Sequence, residues 1–226
     1  PRELAAVLAE KMKQLDDVAA IDIAGPGFIN IFLKSGIWQK ELNAILKADF
    51  EYGRSALGEG QAVNIEFVSA NPTGPLHAAH GRGAIFGDAL ANLLSFCGFK
   101  VTREYYINDA GKQVDALARS ALLRYREALG ETGITIPDGL YPGEYLKDVG
   151  QALKQKYQDS LKGQPEAVTL PIVRSFAIEA MIDGIKADLM DLGIQMDIFS
   201  SERRLMEKGR VDEAINSLIE RKLVYR

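Results

Sequence analysis

The stretch VNIEFVSANPTGPLHAAHGRGAIFGDALANLLSFCGFKVTREYYIND, residues 63–109, decides how this chain folds. Val63, Ile65 and Phe67 alternate with Asn64 and Glu66, the period-two pattern of a strand. From His77 onward the apolar residues fall at 85, 86, 89, 90, 93, 94 and 97, which predicts a well-buried helix. Gly98 closes that helix, and KVTREYYIND reads as a second strand rich in Val, Thr and Tyr. Strand, helix and strand in some fifty residues make a βαβ unit, whose strands run parallel.

Working toward the N-terminus, Leu4, Val7, Leu8, Met12 and Leu15 share one helical stripe. Residues 21–34 read as two short strands about the Gly25-Pro26-Gly27 turn. Trp38, Leu42, Ile45 and Leu46 mark another amphipathic helix over 37–48. These elements predict a small α+β domain over 1–52, a linker over 53–61 and a main domain over 62–226. Toward the C-terminus, helices are expected over 113–129, 145–161, 172–193 and 210–222, with a short strand about 194–199. A mainly helical insertion is expected at about 113–172.

Composition excludes more than it identifies. With 47% hydrophobic and 26% charged residues among 226, the chain is long enough and apolar enough to bury a real core, and it is neither disordered nor collagenous. No apolar run nears the ~20 residues of a membrane span, so no membrane association is expected. The single cysteine, Cys97, excludes an internal disulfide; its apolar neighbours predict a buried, inert thiol. A cytoplasmic location is expected. The net charge of −4 gives no sign of nucleic acid, although a local patch on an acidic body would suffice.

In an open parallel sheet, ligands bind beyond the carboxyl ends of the strands. The first strand ends there with Ser69 and Asn71 just beyond it, the second with Asn108 and Asp109. Between them the helix opens near His77, so five polar side chains face one crevice. His77 and His80, the only histidines, lie three apart and share a helical face beside the free N–H groups of the first turn. That combination suits a phosphate, and imidazole N–H groups can donate to charge that develops on it. Blander readings stand beside this one. The pair could be a solvated helix start, Ser69 and Asn71 could be cap and turn residues, and Asn108-Asp109-Ala110-Gly111 could be a turn. No third histidine or usable cysteine is available for zinc, and no metal site is expected. Neither a P-loop nor a nucleophile elbow occurs.

Pro75-Leu76-His77-Ala78-Ala79-His80 resembles the His-x-Gly-His signature of class I aminoacyl-tRNA synthetases and their nucleotidyltransferase relatives. The longer stretch 63–113 resembles bacterial arginyl-tRNA synthetases throughout. So do GPGFINIFL at 25–33, YPGEY at 141–145 and EAMIDGIKADLMDLGIQMDIFSSE at 179–202. The resemblance implies an α/β fold: the first half of a Rossmann-like parallel nucleotide-binding fold with a helical insertion, preceded by a partial α+β N-terminal domain. It implies catalytic roles for His77 and His80, ATP contacts from Thr73, Gly74, Pro75, Leu76, His77, Ala79 and His80, and arginine contacts from Glu66, Ser69, Asn71 and His80. Asn108 and Asp109 would line the same crevice. The implied substrates are ATP with Mg²⁺, L-arginine and tRNA(Arg), with a monomeric parent enzyme. Two readings compete with it: another nucleotidyltransferase bearing the same signature, and a non-catalytic tRNA-binding paralogue.

Two departures qualify the resemblance. Ala79 stands where the signature has glycine, which adds a methyl group where the nucleotide approaches the backbone. The chain also lacks the second half of the nucleotide fold, its lysine-bearing loop, the guanidinium-recognising residues and the anticodon-binding domain. An N-terminal fragment, inactive alone, is therefore expected.

Overall fold

The computed structural model describes residues 1–225, and the chain divides into two units, Pro1–Arg54 and the part from Ser55 onward. In the first unit, α1 (Arg2–Met12) packs on the antiparallel hairpin of β1 (Val18–Ala24) and β2 (Phe28–Leu33), closed with Ala24 opposite Phe28. Ala5 and Ala9 are the buried residues of α1; their small side chains let the helix sit close to the strands. Its larger apolar residues, Leu4, Val7 and Leu8, stay exposed, as do Trp38 and Leu46 of α2 (Ser35–Ala48). A 3₁₀ turn, Asp49–Glu51, follows.

The second unit is built on a parallel three-stranded sheet of order β3-β4-β5: β3 (Ala62–Glu66), β4 (Lys100–Ile107) and β5 (Ile198–Ser201). Helix α3 (Ala78–Phe96) joins β3 to β4, giving the βαβ unit that the alternation and helical spacing predict. Between β4 and β5 run α4 (Lys112–Ala128), α5 (Tyr145–Tyr157) and α6 (Glu166–Asp191); α7 (Glu202–Glu207) and α8 (Arg210–Glu220) follow. Leu117, Tyr125, Leu146, Leu153, Val173 and Ile185 form the centre of the core, and Tyr105, Ile107 and Phe67 tie the sheet to it. Each such large side chain contributes about 1.5–3 kcal/mol by leaving water.

Helix α3 corrects the expectation of a well-buried apolar face. Its buried residues are Ala84, Gly87 and Ala91, while Ile85, Phe86 and Leu93 are 61%, 72% and 64% exposed. The cause is close approach: a Cβ on Gly87 would lie 2.3 Å from Cγ of Phe67, so only small residues fit between helix and sheet. The helix ends as expected at Gly98, whose φ of +87° suits a left-handed cap. Gly98 donates to the Ser95 carbonyl and Phe99 to that of Leu94. Cys97 is half-buried, less enclosed than its apolar neighbours suggest.

Further boundaries differ from the sequence expectation. Helix α6 begins at Glu166 and passes through Pro171, rather than starting after it. A proline that early in a 26-residue helix forfeits one hydrogen bond, which the packed face outweighs. The last strand is Ile198–Ser201, not 194–199. Ile194 is buried because its N–H reaches back to the Leu189 carbonyl while Gly193 donates to Met190, so its apolar character belongs to a helix end. From Ser55 the segment read as linker is bonded down, with Ser55, Gly58 and Gly60 donating to the carbonyls of Phe96, Cys97 and Gly98.

Candidate active site

The site grows from a strained turn. Glu66 ends β3, Phe67 enters the core, and Val68 and Ser69 then both take positive φ, +67° and +39°. Positive φ is costly for residues with a Cβ, and more so for β-branched valine, about 1–3 kcal/mol each. Four hydrogen bonds hold the turn. Ser69 N–H donates to the Phe67 carbonyl at 3.0 Å, and Tyr106 N–H donates to Ser69 Oγ at 3.0 Å. The Ser69 hydroxyl donates to the Glu66 carboxylate. Tyr105 Oη donates to the Ala70 carbonyl at 2.9 Å. Burial pushes the Tyr105 phenol up to about 12, so it remains a donor across the physiological range.

The loop continues under equally close control. Asn71 Nδ2 donates to Gln113 Oε1 of α4 at 2.8 Å, Pro72 is buried, and Tyr145 Oη of α5 donates to the Thr73 carbonyl at 2.6 Å. Gly74 and Leu76 are half-buried, with Leu76 against the core, and Pro75 is exposed. His77 is the N-cap of α3 and His80 stands in its first turn. Their rings stack with centroids 3.6 Å apart, and His77 N–H donates to His80 Nδ1 at 3.4 Å. An accepting Nδ1 places the proton of neutral His80 on Nε2. Burial first, and the neighbouring His77 second, hold the His80 imidazole below its usual 6.5. The arrangement therefore offers a neutral donor beside the positive end of a helix, which suits an anion without itself requiring a charged side chain. Ala79 is exposed in the same turn.

The predicted residues do not all converge. Glu66 ends β3, Ser69 and Asn71 follow it, and Thr73 to His80 carry the loop into α3. Asn108 is exposed, but Asp109 is 5% exposed and its carboxylate is engaged elsewhere: it accepts from Ser201 Oγ at 2.7 Å and Arg203 N–H at 2.9 Å. Asp109 thus pins the end of β4 to the start of α7 and lines a separate cavity of about 390 Å³ with Ile178, Lys186 and Phe199. A cavity of about 370 Å³ opens beside His77, bounded by Leu76, Gly81, Asp188 and Asp191. Among the described residues no group of three or more His, Cys, Asp or Glu side chains could hold a metal ion. Nor is any helix among them long and apolar enough to cross a membrane.

Sequence reasoning missed Tyr105, Gln113 and Tyr145 as members of this region. Tyr105 carried no signal beyond strand propensity. Gln113 and Tyr145 sit 42 and 72 residues from the atoms they hold, a distance no periodicity spans.

Comparison with known proteins adds to this geometry. Residues 41–224 match the family of class I (R) tRNA synthetases, catalytic domain, and residues 1–33 match the arginyl tRNA synthetase N terminal domain. The chain is 55% identical over its whole length to an arginine–tRNA ligase of Ruegeria sp. (strain TM1040) and 58% identical to one of Bradyrhizobium sp. (strain ORS 278). It spans 39% and 38% of those proteins, well under half of each. Among solved structures, one from Campylobacter jejuni, provisionally named an arginyl tRNA synthetase, superposes with a TM-score of 0.76 at 31% identity, covering 86% of this chain and 42% of that one. Thermus thermophilus arginyl-tRNA synthetase shares the fold, with a TM-score of 0.59 at 21% identity over 97% of this chain and 35% of its own.

Proposed function

This chain belongs to the class I (R) tRNA synthetase family, and from that premise we propose that it is the part of an arginine–tRNA ligase that grips ATP and the main-chain groups of arginine. The observation that carries the reading is the stacked pair His77 and His80 at the N-terminus of α3, just beyond the carboxyl end of a parallel strand. In the proposed reaction a carboxylate oxygen of arginine attacks the α-phosphorus of ATP. The bond to the β-phosphate breaks and pyrophosphate leaves with the electron pair. A ribose hydroxyl at the 3′ end of tRNA(Arg) then attacks the acyl carbon, and AMP leaves.

Little covalent work falls to the protein, so its contribution is placement and charge stabilisation. His77 and His80 donate to the phosphate oxygens as charge builds on them, helped by the N–H groups of the first turn. Thr73, Gly74, Pro75, Leu76 and Ala79 form the backbone track along which the nucleotide lies. Glu66 meets the α-ammonium of arginine, and Ser69 and Asn71 meet its carboxylate together with His80. Gly81 and Gly83 support a close-lying ligand: a Cβ at either would meet nothing within 4 Å, so packing within the chain does not require glycine there. Asn108 stands at the rim, while Asp109 holds the start of α7 to the end of β4.

ATP enters as its Mg²⁺ complex, and the parent enzyme is a cytoplasmic monomer. Residues 1–52 serve as its N-terminal additional domain, 53–61 as a connection bonded from Ser55 onward to the end of α3, and about 113–172 as a helical insertion in the catalytic domain. The guanidinium of arginine is read by the remainder of the ligase. The test is arginine-dependent ATP–pyrophosphate exchange by the complete ligase in the presence of tRNA. Exchange is expected with arginine alone among the amino acids, and His80→Ala should lower kcat by about 10²–10³. No exchange with any amino acid would leave the non-catalytic reading standing.

A further inference from the structure

We propose that Tyr145 is a positioning residue that sets the height of the nucleotide-binding loop, so that the start of α5 controls ATP binding separately from arginine binding. This rests on the reading of residues 73–80 as the ATP track. The ring of Tyr145 lies in a slot lined by two glycines. A Cβ on Gly74 would lie 3.2 Å from Tyr145 Oη, and one on Gly143 only 2.1 Å from Cε1. From that slot the hydroxyl donates to the Thr73 carbonyl at 2.6 Å. The slot is itself anchored. Arg124, nearly buried on α4, donates to the Pro142 carbonyl at 2.8 Å, and Tyr141 N–H donates to Ser120 Oγ at 2.9 Å.

The geometry separates two halves of the loop. Upstream, Ser69 is held by Tyr106, Ala70 by Tyr105 and Asn71 by Gln113, all independently of Tyr145. Downstream, the Tyr145 hydroxyl holds the Thr73 carbonyl four residues before the first histidine, while the His77 N–H is held within the helix start by His80 Nδ1. The phenol therefore fixes the start of the track beneath the phosphates while leaving Ser69 and Asn71, among the arginine contacts, to other anchors. An error of about 1 Å at such a position is enough to lower a rate substantially.

The experiment is a kinetic comparison of the complete ligase with its Tyr145→Phe and Gly143→Ala variants, reading KM for ATP, KM for arginine, kcat and melting temperature. Tyr145→Phe keeps the ring and removes the bond, and the expected result is a rise of about fivefold or more in KM for ATP with KM for arginine unchanged. Gly143→Ala expels the ring without touching any residue of the ATP track, and the same ATP-selective defect is expected. A fall in melting temperature with both KM values moving together would overturn the proposal, because general loosening does not distinguish the substrates. So would wild-type kinetics in either folded variant. If Tyr145→Phe does not fold, Gly143→Ala alone decides. An inactive wild-type ligase would overturn the activity reading and this proposal with it, whereas an active wild type with an indifferent Tyr145→Phe would overturn this proposal alone.

Discussion

Two helical regions of the larger unit carry the same kind of apolar pattern and meet different fates. Helices α4, α5 and α6 bury theirs against one another: Leu117, Leu146, Leu153 and Val173 are fully enclosed, and a Cβ on Gly150 would meet the Arg124 backbone at 2.6 Å. Helix α3 buries only alanines and a glycine and turns Ile85, Phe86 and Leu93 outward. Helix α8 likewise leaves Val211 and Ile215 exposed. An amphipathic period states that a face is apolar, not that a partner lies within the same stretch of chain. The region with closed packing supplies rigidity, while the catalytic histidines proposed above begin the helix whose outer face stays open.

The largest test of this contrast is Leu117→Ala against Phe86→Ala, measured by urea unfolding of the chain. Leu117→Ala should cost about 2–5 kcal/mol through a cavity with no exposed side from which to relax. Phe86→Ala should stay within about 0.5 kcal/mol, because the ring is already in water. Equal losses would mean that the outer face of α3 is covered in solution.

A second comparison lies within α3 itself. Gly87→Ala drives a methyl group into Phe67, beside the strained Val68–Ser69 turn, and should destabilise by about 1–3 kcal/mol. Gly81→Ala meets open space and should stabilise the free chain by about 0.5–1 kcal/mol, while weakening nucleotide binding if the proposed ligand lies there. Opposite signs in thermal melts are the expected outcome. Asp109→Ala should also cost about 1–3 kcal/mol by leaving Ser201 Oγ and Arg203 N–H without their acceptor, whereas Asn108→Ala should be nearly silent.

The smallest effect is a pH dependence of the open region. The His80 imidazole is held below 6.5 in the folded chain, so between that value and its lowered folded one the unfolded chain binds more protons. The contribution of His80 is present above pH 6.5 and is lost as pH falls through the lowered folded value. Protonation also removes the Nδ1 acceptor for His77 N–H. Imidazole NMR titration should place the His80 midpoint below 6.5, and His80→Ala should flatten the pH profile of stability in that range. A midpoint at or above 6.5 would show that the stacked arrangement does not persist in solution.

Much of the fold was legible because its signals are local. The β3–α3–β4 unit followed from alternation, helical spacing and a glycine cap, all within residues 63–109. The misread parts had local signals with two meanings. Ile194 looked like strand but is the apolar residue after a helix cap, and Pro171 looked like a stop but is carried inside a helix whose other bonds suffice. The position of the histidines and the loop residues between β3 and α3 was readable from residue order. Asp109 was not, since nothing near it in sequence reveals that Ser201 and Arg203, more than ninety residues away, take up its carboxylate.

The sequence by itself determined the parallel βαβ unit, the siting of both histidines at a helix N-terminus and the family to which these motifs belong. Those features rest on backbone hydrogen bonding, side-chain period and residue order, which act over a few positions. Only the tertiary structure decided which faces are enclosed, that Val68 and Ser69 are held in a left-handed turn, and that Tyr105, Gln113 and Tyr145 fix the loop at separate points. These depend on which distant atoms come within hydrogen-bond reach, and that is settled by how the helices pack, not by any property of the loop itself.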